Sequence, residues 1–391
     1  MVSVMSKLDD YLSKRSIVVS FGLVLILGTI LRFYFFPYDI PIVTDGFYSF
    51  VYAVKTVYEG GLPTNYGVTN IGWANFLSLF FIFLDKSDPL FLMSTQRIVS
   101  ITVSIITAVP AYFIFRKFAS VRWSLFGVFL LTIEPRLLLI SLEGINYSLF
   151  FFLFILTIAL FLKKTNLSFF LSFICIACAA LVRYEGLLLI IPLSIMYFIK
   201  FRNKKSIYRY VAMIFVLIII LVPVATLRMQ ATENICTESM LGKICGQDGM
   251  VQNILSGIAV VERTAISEIP NVEDPTLYKT DKSVLEQFLF LGLSNSIKFL
   301  AYSLFPIFVV LIVFWLCVFI YRKKFPNLNF YNTTILFVSF IMLLPPIYAY
   351  GRGIEEIRYV LFIIPALCIM SISWKKLTTH KIFENKIIFV I

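Results

Sequence analysis

The chain has little charge of either sign. Only 14% of its 391 residues are Asp, Glu, Lys or Arg, and it has one histidine, His380. Soluble domains carry about 25% charge, so a set of ordinary water-soluble domains is excluded. No glycine loop able to cradle a phosphate is present, and no His/Cys cluster has metal-ligand spacing. Internal repeats, low-complexity segments and linkers between domains are also missing. Cysteine is sparse, at six residues. Cys175, Cys178, Cys317 and Cys368 fall inside apolar runs and read as packing residues. Cys175 and Cys178 have no second pair with which to hold zinc. Cys236 and Cys245 lie in a polar loop and are candidates for a disulfide if that loop is extracytoplasmic.

What is abundant is apolar sequence. Sixty per cent of the residues are hydrophobic, with 41 Phe and 20 Tyr, and the mean hydropathy is +0.91. Apolar runs lie near 16–36, 71–84, 97–115, 122–140, 145–162, 167–182, 187–199, 210–227, 297–320, 332–350 and 359–374. Many approach the roughly 20 residues a helix needs to cross a bilayer. A further run starts at Lys386 and stops at Ile391, so the chain is expected to end within another span. The run from Ser16 to Phe36 is too long for a signal-peptide core and has no small-residue cleavage site after it. It reads as an uncleaved first span. The net charge of +12 could indicate nucleic acid, but the basic residues cluster in short segments between apolar runs. That is the positive-inside pattern of a membrane protein, and no nucleic-acid partner is expected.

The topology turns on 71–84. This run is about 14 residues long and is flanked by Asp85 and Asp88. If it lies along the outer membrane surface, the inner segments collect Lys14-Arg15, Arg116-Lys117, Lys163-Lys164, Lys200 to Lys205, Arg322 to Lys324 and Lys375-Lys376. Every acidic residue except Asp9, Asp10 and Glu384 then falls outside or at an outer helix end. If it crosses, all later clusters flip outward. The expectation is therefore a cytoplasmic N-terminus and ten complete spans, or eleven with the interrupted last one. Runs 167–182 and 187–199 are read as a hairpin turning at Arg183-Tyr184-Glu185-Gly186, because one long helix would separate the basic clusters at its ends. The whole chain, 1–391, reads as one module with two large outer loops, 37–96 with interface helices and 228–296.

Carboxylates and arginines at the outer face are what remains for chemistry. Asp45 precedes a stretch with an apolar face suited to the interface. It can act as a general base for an acceptor hydroxyl, or simply cap the helix that follows. Arg183 and Glu185 sit at the hairpin tip. As i and i+2 on a helix they point to different partners, and Arg183 offers a fork for a lipid phosphate. The alternative is a snorkelling arginine and a capping glutamate. In Arg352-Gly353-Ile354-Glu355-Glu356-Ile357-Arg358-Tyr359, the glutamates can pair with either arginine, or an arginine can face a phosphate. Glu134, Arg136 and Glu143 gather at the outer end of the third span.

The order of these features resembles the GT-C class of membrane glycosyltransferases, and within it the protein mannosyltransferase and lipid A aminoarabinose transferase-like group. It comprises one N-terminal span and an outer loop opening on Asp45. Arg116-Lys117 lies inside, then Glu134-Pro135 and Ser141. Leu181-Val182-Arg183-Tyr184-Glu185-Gly186 and Glu356-Ile357-Arg358-Tyr359 with Pro365 come later. The resemblance covers nearly the whole chain and rests on the ordered set, because no single motif is specific. It implies an all-α transmembrane bundle that moves a sugar, with inversion, from a polyprenyl-phosphate (dolichyl-type) donor to a glycan, protein or lipid acceptor outside the cytoplasm. The setting is the cell membrane or an ER-type lumen. Asp45 matches the active-site aspartate; Arg183, Arg358 and Arg352 match phosphate-binding arginines, with Glu185, Glu143, Glu356 and Tyr359 in support. Two departures stand out. Gly46 follows Asp45 where relatives carry a second acid, and Asn146-Tyr147 stands where many carry another. With one firm carboxylate, a mechanism without metal is favoured over one using a divalent ion. The alternatives are a secondary transporter, a lipid-linked glycan polymerase or ligase, and a non-catalytic membrane subunit.

Overall fold

The fold begins with a long helix, α1 (Val2–Tyr34), whose apolar run follows Lys14 and Arg15. In this computed structural model, residues 2–63, 70–85, 88–201, 203–232, 284–303, 309–313, 317, 329–354 and 356–378 are described. The expected Cys236–Cys245 disulfide, most of the 228–296 loop, Glu355 and the run after Lys386 lie outside them. Among the described residues the regular structure is helical throughout, without strands.

After α1 come α2 (Thr44–Glu59), α3 (Ile71–Phe81), α4 (Pro89–Ile106), α5 (Ala108–Phe118), α6 (Val121–Ile133), α7 (Pro135–Glu143), α8 (Tyr147–Leu162) and α9 (Asn166–Val182). A 3-10 segment, Tyr184–Leu189, leads into α10 (Ile190–Lys200) and α11 (Lys204–Thr232). Then follow α12 (Val284–Ser303), α13 (Phe330–Ile341), α14 (Leu344–Gly351), a second 3-10 segment (Ile357–Ile363) and α15 (Ile364–Thr378).

Local sequence explains the breaks. Asp88 caps α4 by accepting from the amides of Leu90 (2.9 Å) and Phe91 (3.2 Å), with Pro89 pre-set for the first helical position. The run expected as a single span over 122–140 is instead broken: α6 and α7 meet at 49°. Pro135 cannot continue the α6 hydrogen-bond ladder, and the fully buried Glu134 restarts it by accepting from Leu137 N at 2.7 Å. The α9–α10 region is a hairpin. Phe169, near the start of α9, meets Tyr197, near the end of α10, with ring centroids 5.5 Å apart. In one continuous helix these residues would be about 40 Å apart.

Four stretches are long and apolar enough to cross a membrane: Arg15–Tyr34, Pro89–Phe118, Lys204–Leu227 and Phe330–Gly351. The bent pair α6–α7 makes a fifth. The other described apolar helices run to 10–17 residues. Helix α3, at 11 residues, is only about 16 Å long, half the thickness of a hydrocarbon core. The core is aromatic: Phe150, Phe154, Phe161, Phe169 and Phe173 are almost completely buried, and Phe362 packs against Tyr147, Phe150 and Phe154. That packing brings the second 3-10 segment onto α8, 200 residues earlier in the chain.

Candidate active site

Asp45 occupies the first turn of α2, but it does not cap the helix: the capping position is Val43. The Asp45 carboxylate is 57% exposed and accepts from Arg358 Nη1 at 2.7 Å. The Arg358 guanidinium also pairs through Nε with Glu356, two residues before it in the same segment. Both line a cleft of about 860 Å³, together with Arg97, Arg136, Glu143 and the apolar Phe35, Ile40, Val43 and Leu361.

A network that the sequence reading missed fixes the start of α2. Gly144 ends α7 in the left-handed conformation (φ +69°) that glycine tolerates best. Its carbonyl accepts from Trp73 Nε1 (2.9 Å) and Gln96 Nε2 (2.7 Å), and Gln96 Nε2 also donates to Gly46 O at 3.0 Å. Helices α2, α3, α4 and α7 are thus stapled at one point. A side chain at position 46 would put its Cβ 2.5 Å from Ile42 Cγ2 and 3.0 Å from Glu143 O. A larger residue after Asp45 would require the Ile42 side chain to move and α2 to shift slightly from the end of α7.

Arg97 holds the approach to Asp45. Its guanidinium donates to the carbonyls of Leu142 (3.1 Å), Pro37 (3.3 Å), Ile40 (2.6 Å) and Pro41 (3.2 Å). Arg32, 1% exposed, likewise donates to Gly28 O, Thr132 O, Ser104 Oγ and Ser141 Oγ. A charge within an apolar run is the signal that would have flagged both.

The second part of the site lies at the end of α9. Arg183, in extended conformation, terminates the helix, and its Nη2 meets Glu185 Oε1 at 2.5 Å. The turn into the 3-10 segment bends the chain enough for i and i+2 to face each other, so the expectation of separate partners, based on a helix, fails here. The Tyr147 ring lies beneath two cations, 4.1 Å from the Arg183 guanidinium and 5.4 Å from that of Arg358, and stacks on Phe362. Asn146 Oδ1 accepts from Arg183 Nη1 at 3.5 Å. The Asn146-Tyr147 departure noted in the sequence is therefore a platform joining both arginines. Tyr359 is half-buried, edge-on to Tyr350 at 6.3 Å. Arg352 stays apart, exposed and bonded to Tyr348 Oη at 3.3 Å.

A second crevice, of about 480 Å³, has almost wholly apolar walls drawn from α3, α4, α8, α9 and α11, including Ile71, Phe76, Val103, Leu149, Leu181 and Val182. It runs up to the residue before Arg183. Gly72 makes the closure of this crevice possible: a Cβ there would sit 2.6 Å from the Leu181 carbonyl.

Among the described residues the carboxylates lining the cleft are Asp45, Glu143 and Glu356, and Arg358 engages two of them. Among the described residues no group of three His, Cys, Asp or Glu is close enough to hold a metal ion.

No protein-family model and no curated protein matches the sequence. Solved structures do match. The apo oligosaccharyltransferase of Archaeoglobus fulgidus superposes with a TM-score of 0.56 at 13% identity, over 91% of this chain and 50% of that one. The oligosaccharyltransferase AglB of the same organism, in complex with an inhibitory peptide and a dolichol-phosphate, superposes at 0.57 and 13% identity over 93% and 50%. The same organism's enzyme in complex with Zn and sulfate superposes at 0.55 and 14% identity, over 90% and 48%. These likenesses show the fold alone: an all-α, GT-C-like helical bundle, as the sequence resemblance implied. The chain spans half the length of the structures it matches.

Proposed function

We propose that this chain is a membrane glycosyltransferase that moves a sugar from a polyprenyl-phosphate carrier to an extracytoplasmic acceptor, with inversion at the anomeric carbon. One observation carries the reading. Asp45 and Arg358, far apart in sequence, meet at 2.7 Å on the wall of a cleft that carries several charges, and a separate, almost wholly apolar crevice reaches Leu181 and Val182, just before Arg183. The crevice suits the hydrocarbon chain of a carrier and the cleft suits its headgroup.

The chemistry follows from those groups. Arg358 donates to the phosphate and stabilises the negative charge that builds as the sugar–phosphate bond breaks. Asp45 takes the proton of the acceptor hydroxyl as its oxygen attacks the anomeric carbon from the opposite face. The products are the glycosylated acceptor and free polyprenyl phosphate. Glu143 and Glu356 keep Arg358 and Asp45 oriented. Arg352, outside the cleft, contributes by attracting the anionic headgroup. The solved AglB with dolichol-phosphate, and a further Archaeoglobus fulgidus oligosaccharyltransferase structure tethered with an acceptor peptide, support a lipid-linked donor and a glycan or protein acceptor. The N-terminus is on the cytoplasmic side and the cleft opens on the other.

The test is direct. The purified chain in detergent is mixed with polyprenyl-phosphate sugars carrying a labelled sugar and with a membrane extract as acceptor. Label should leave the carrier and free polyprenyl phosphate should appear, with the new linkage inverted by NMR. Solute uptake by proteoliposomes, with no carrier binding and no transfer, would replace this reading with a transporter.

A further inference from the structure

Three polar atoms where the end of α9 meets the start of α8 are buried without a hydrogen-bond partner: Arg183 Nε, Glu185 Oε2 and the Tyr147 hydroxyl. They belong to one cluster. Arg183 bonds Glu185 and lies on the Tyr147 ring, and the Tyr147 hydroxyl is within electrostatic reach of Arg183, Glu185 and Arg358. Burying one such atom unpaired is costly, and a folded protein rarely leaves three together. Their chemistry specifies the missing group. Arg183 Nε–H only donates, Glu185 Oε2 only accepts, and the tyrosine hydroxyl does either. A phosphate offers acceptors alone and would confront the Glu185 carboxylate, which already compensates the Arg183 charge. A sugar hydroxyl donates once and accepts twice, so it can satisfy all three.

We infer that Arg183, Glu185 and Tyr147 form a hydroxyl-reading subsite that recognises the sugar of the donor, while the carrier phosphate is held by Arg358 alone. The inference rests on the transferase reading above and gives Arg183 a different part from the phosphate ligand expected from the sequence. Placement supports the donor side: Leu181 and Val182, just before Arg183, wall the apolar crevice, whereas Asp45 and Glu143 face the polar cleft. The Arg183 side chain keeps 11% of its surface exposed and that of Glu185 3%, so a sugar reaches the three buried atoms only when the side chains covering them move aside.

Tyr147→Phe is the cleanest probe, because it removes only a hydroxyl that has no partner in the fold and leaves the aromatic platform under both arginines. Binding is measured on the full chain in detergent for two ligands: polyprenyl phosphate without a sugar, and the tightest-binding member of a panel of polyprenyl-phosphate glucose, mannose and N-acetylglucosamine. The expected result is unchanged affinity for the bare carrier and a loss of about tenfold for the sugar-bearing one. Glu185→Gln should show the same split, and Arg358→Gln should weaken both ligands. Equal affinities of the Tyr147→Phe and wild-type proteins for both ligands would overturn the subsite and leave the cluster as the seat of a structural water. Parallel loss for both ligands would also overturn it, placing Tyr147 with the phosphate. If the wild-type chain binds neither ligand, it is the transferase reading that fails.

Discussion

Replacing Asp45 by Asn removes a base without removing a hydrogen-bonding shape, and the structure bounds what else it can disturb. The Asp45 carboxylate is 57% exposed and, among the described residues, its ion pair is with Arg358. An exposed pair contributes at most about 1 kcal/mol to stability. The anionic side chain in the first turn of α2 adds about 0.3–1 kcal/mol through the helix dipole. The fold should therefore lose no more than about 2 kcal/mol, and the melting temperature should fall by only a few degrees. Loss of a general base slows the chemical step about 10²–10⁴-fold, or about 3–5 kcal/mol on the barrier. Because Arg358 is freed from one of its two carboxylates, its grip on a phosphate should stay the same or tighten. The assay reads three quantities on one preparation: melting temperature, polyprenyl-phosphate affinity and single-turnover sugar transfer. The expected pattern is a nearly unchanged melt, equal or stronger carrier binding, and transfer down by at least about a hundredfold. Transfer within a few-fold of wild type would refute Asp45 as the base. Transfer lost in step with carrier affinity would recast Asp45 as a residue that only orients Arg358.

Other outcomes follow from the same geometry. Gly46→Ala forces a Cβ against Glu143 O and should cost about 1–3 kcal/mol, lowering both the melting temperature and activity; a melt equal to wild type would show that α2 can back away from α7. Arg97→Met strips four carbonyls of their donor, so the 37–41 segment should become sensitive to limited proteolysis and stability should fall by about 3 kcal/mol or more. Unchanged proteolysis would argue that water replaces the guanidinium. Sugar transfer should persist in excess EDTA, and loss of transfer restored by added Zn²⁺ or Mn²⁺ would bring a metal into the mechanism.

The sequence displayed the class of fold plainly, because apolar runs of bilayer length and short basic clusters between them depend on local composition alone. The hairpin at Arg183 was legible for the same reason: only a turn there keeps both flanking basic clusters on one side. Asp45, Arg183 and Arg358 could be singled out because a charge beside an apolar run is conspicuous in any chain. Their relations could not be read. Asp45 appeared equally fit to cap its own helix, and only the approach of a segment more than three hundred residues later turned its carboxylate to Arg358. Arg183 and Glu185 were expected to face apart on helical geometry, and the extended residue that ends α9 let them meet.

By itself, then, the sequence determined that this is a helical protein built on long apolar runs with charges set beside them, since hydropathy and charge act over a few residues at a time. What only the tertiary structure decided was which charges neutralise one another, how closely position 46 is packed, and that Tyr147 carries both arginines. Those depend on side chains from α2, α7, α8, α9 and the second 3-10 segment arriving within a few ångströms of one another, and that arrival is settled by packing rather than by any local pattern.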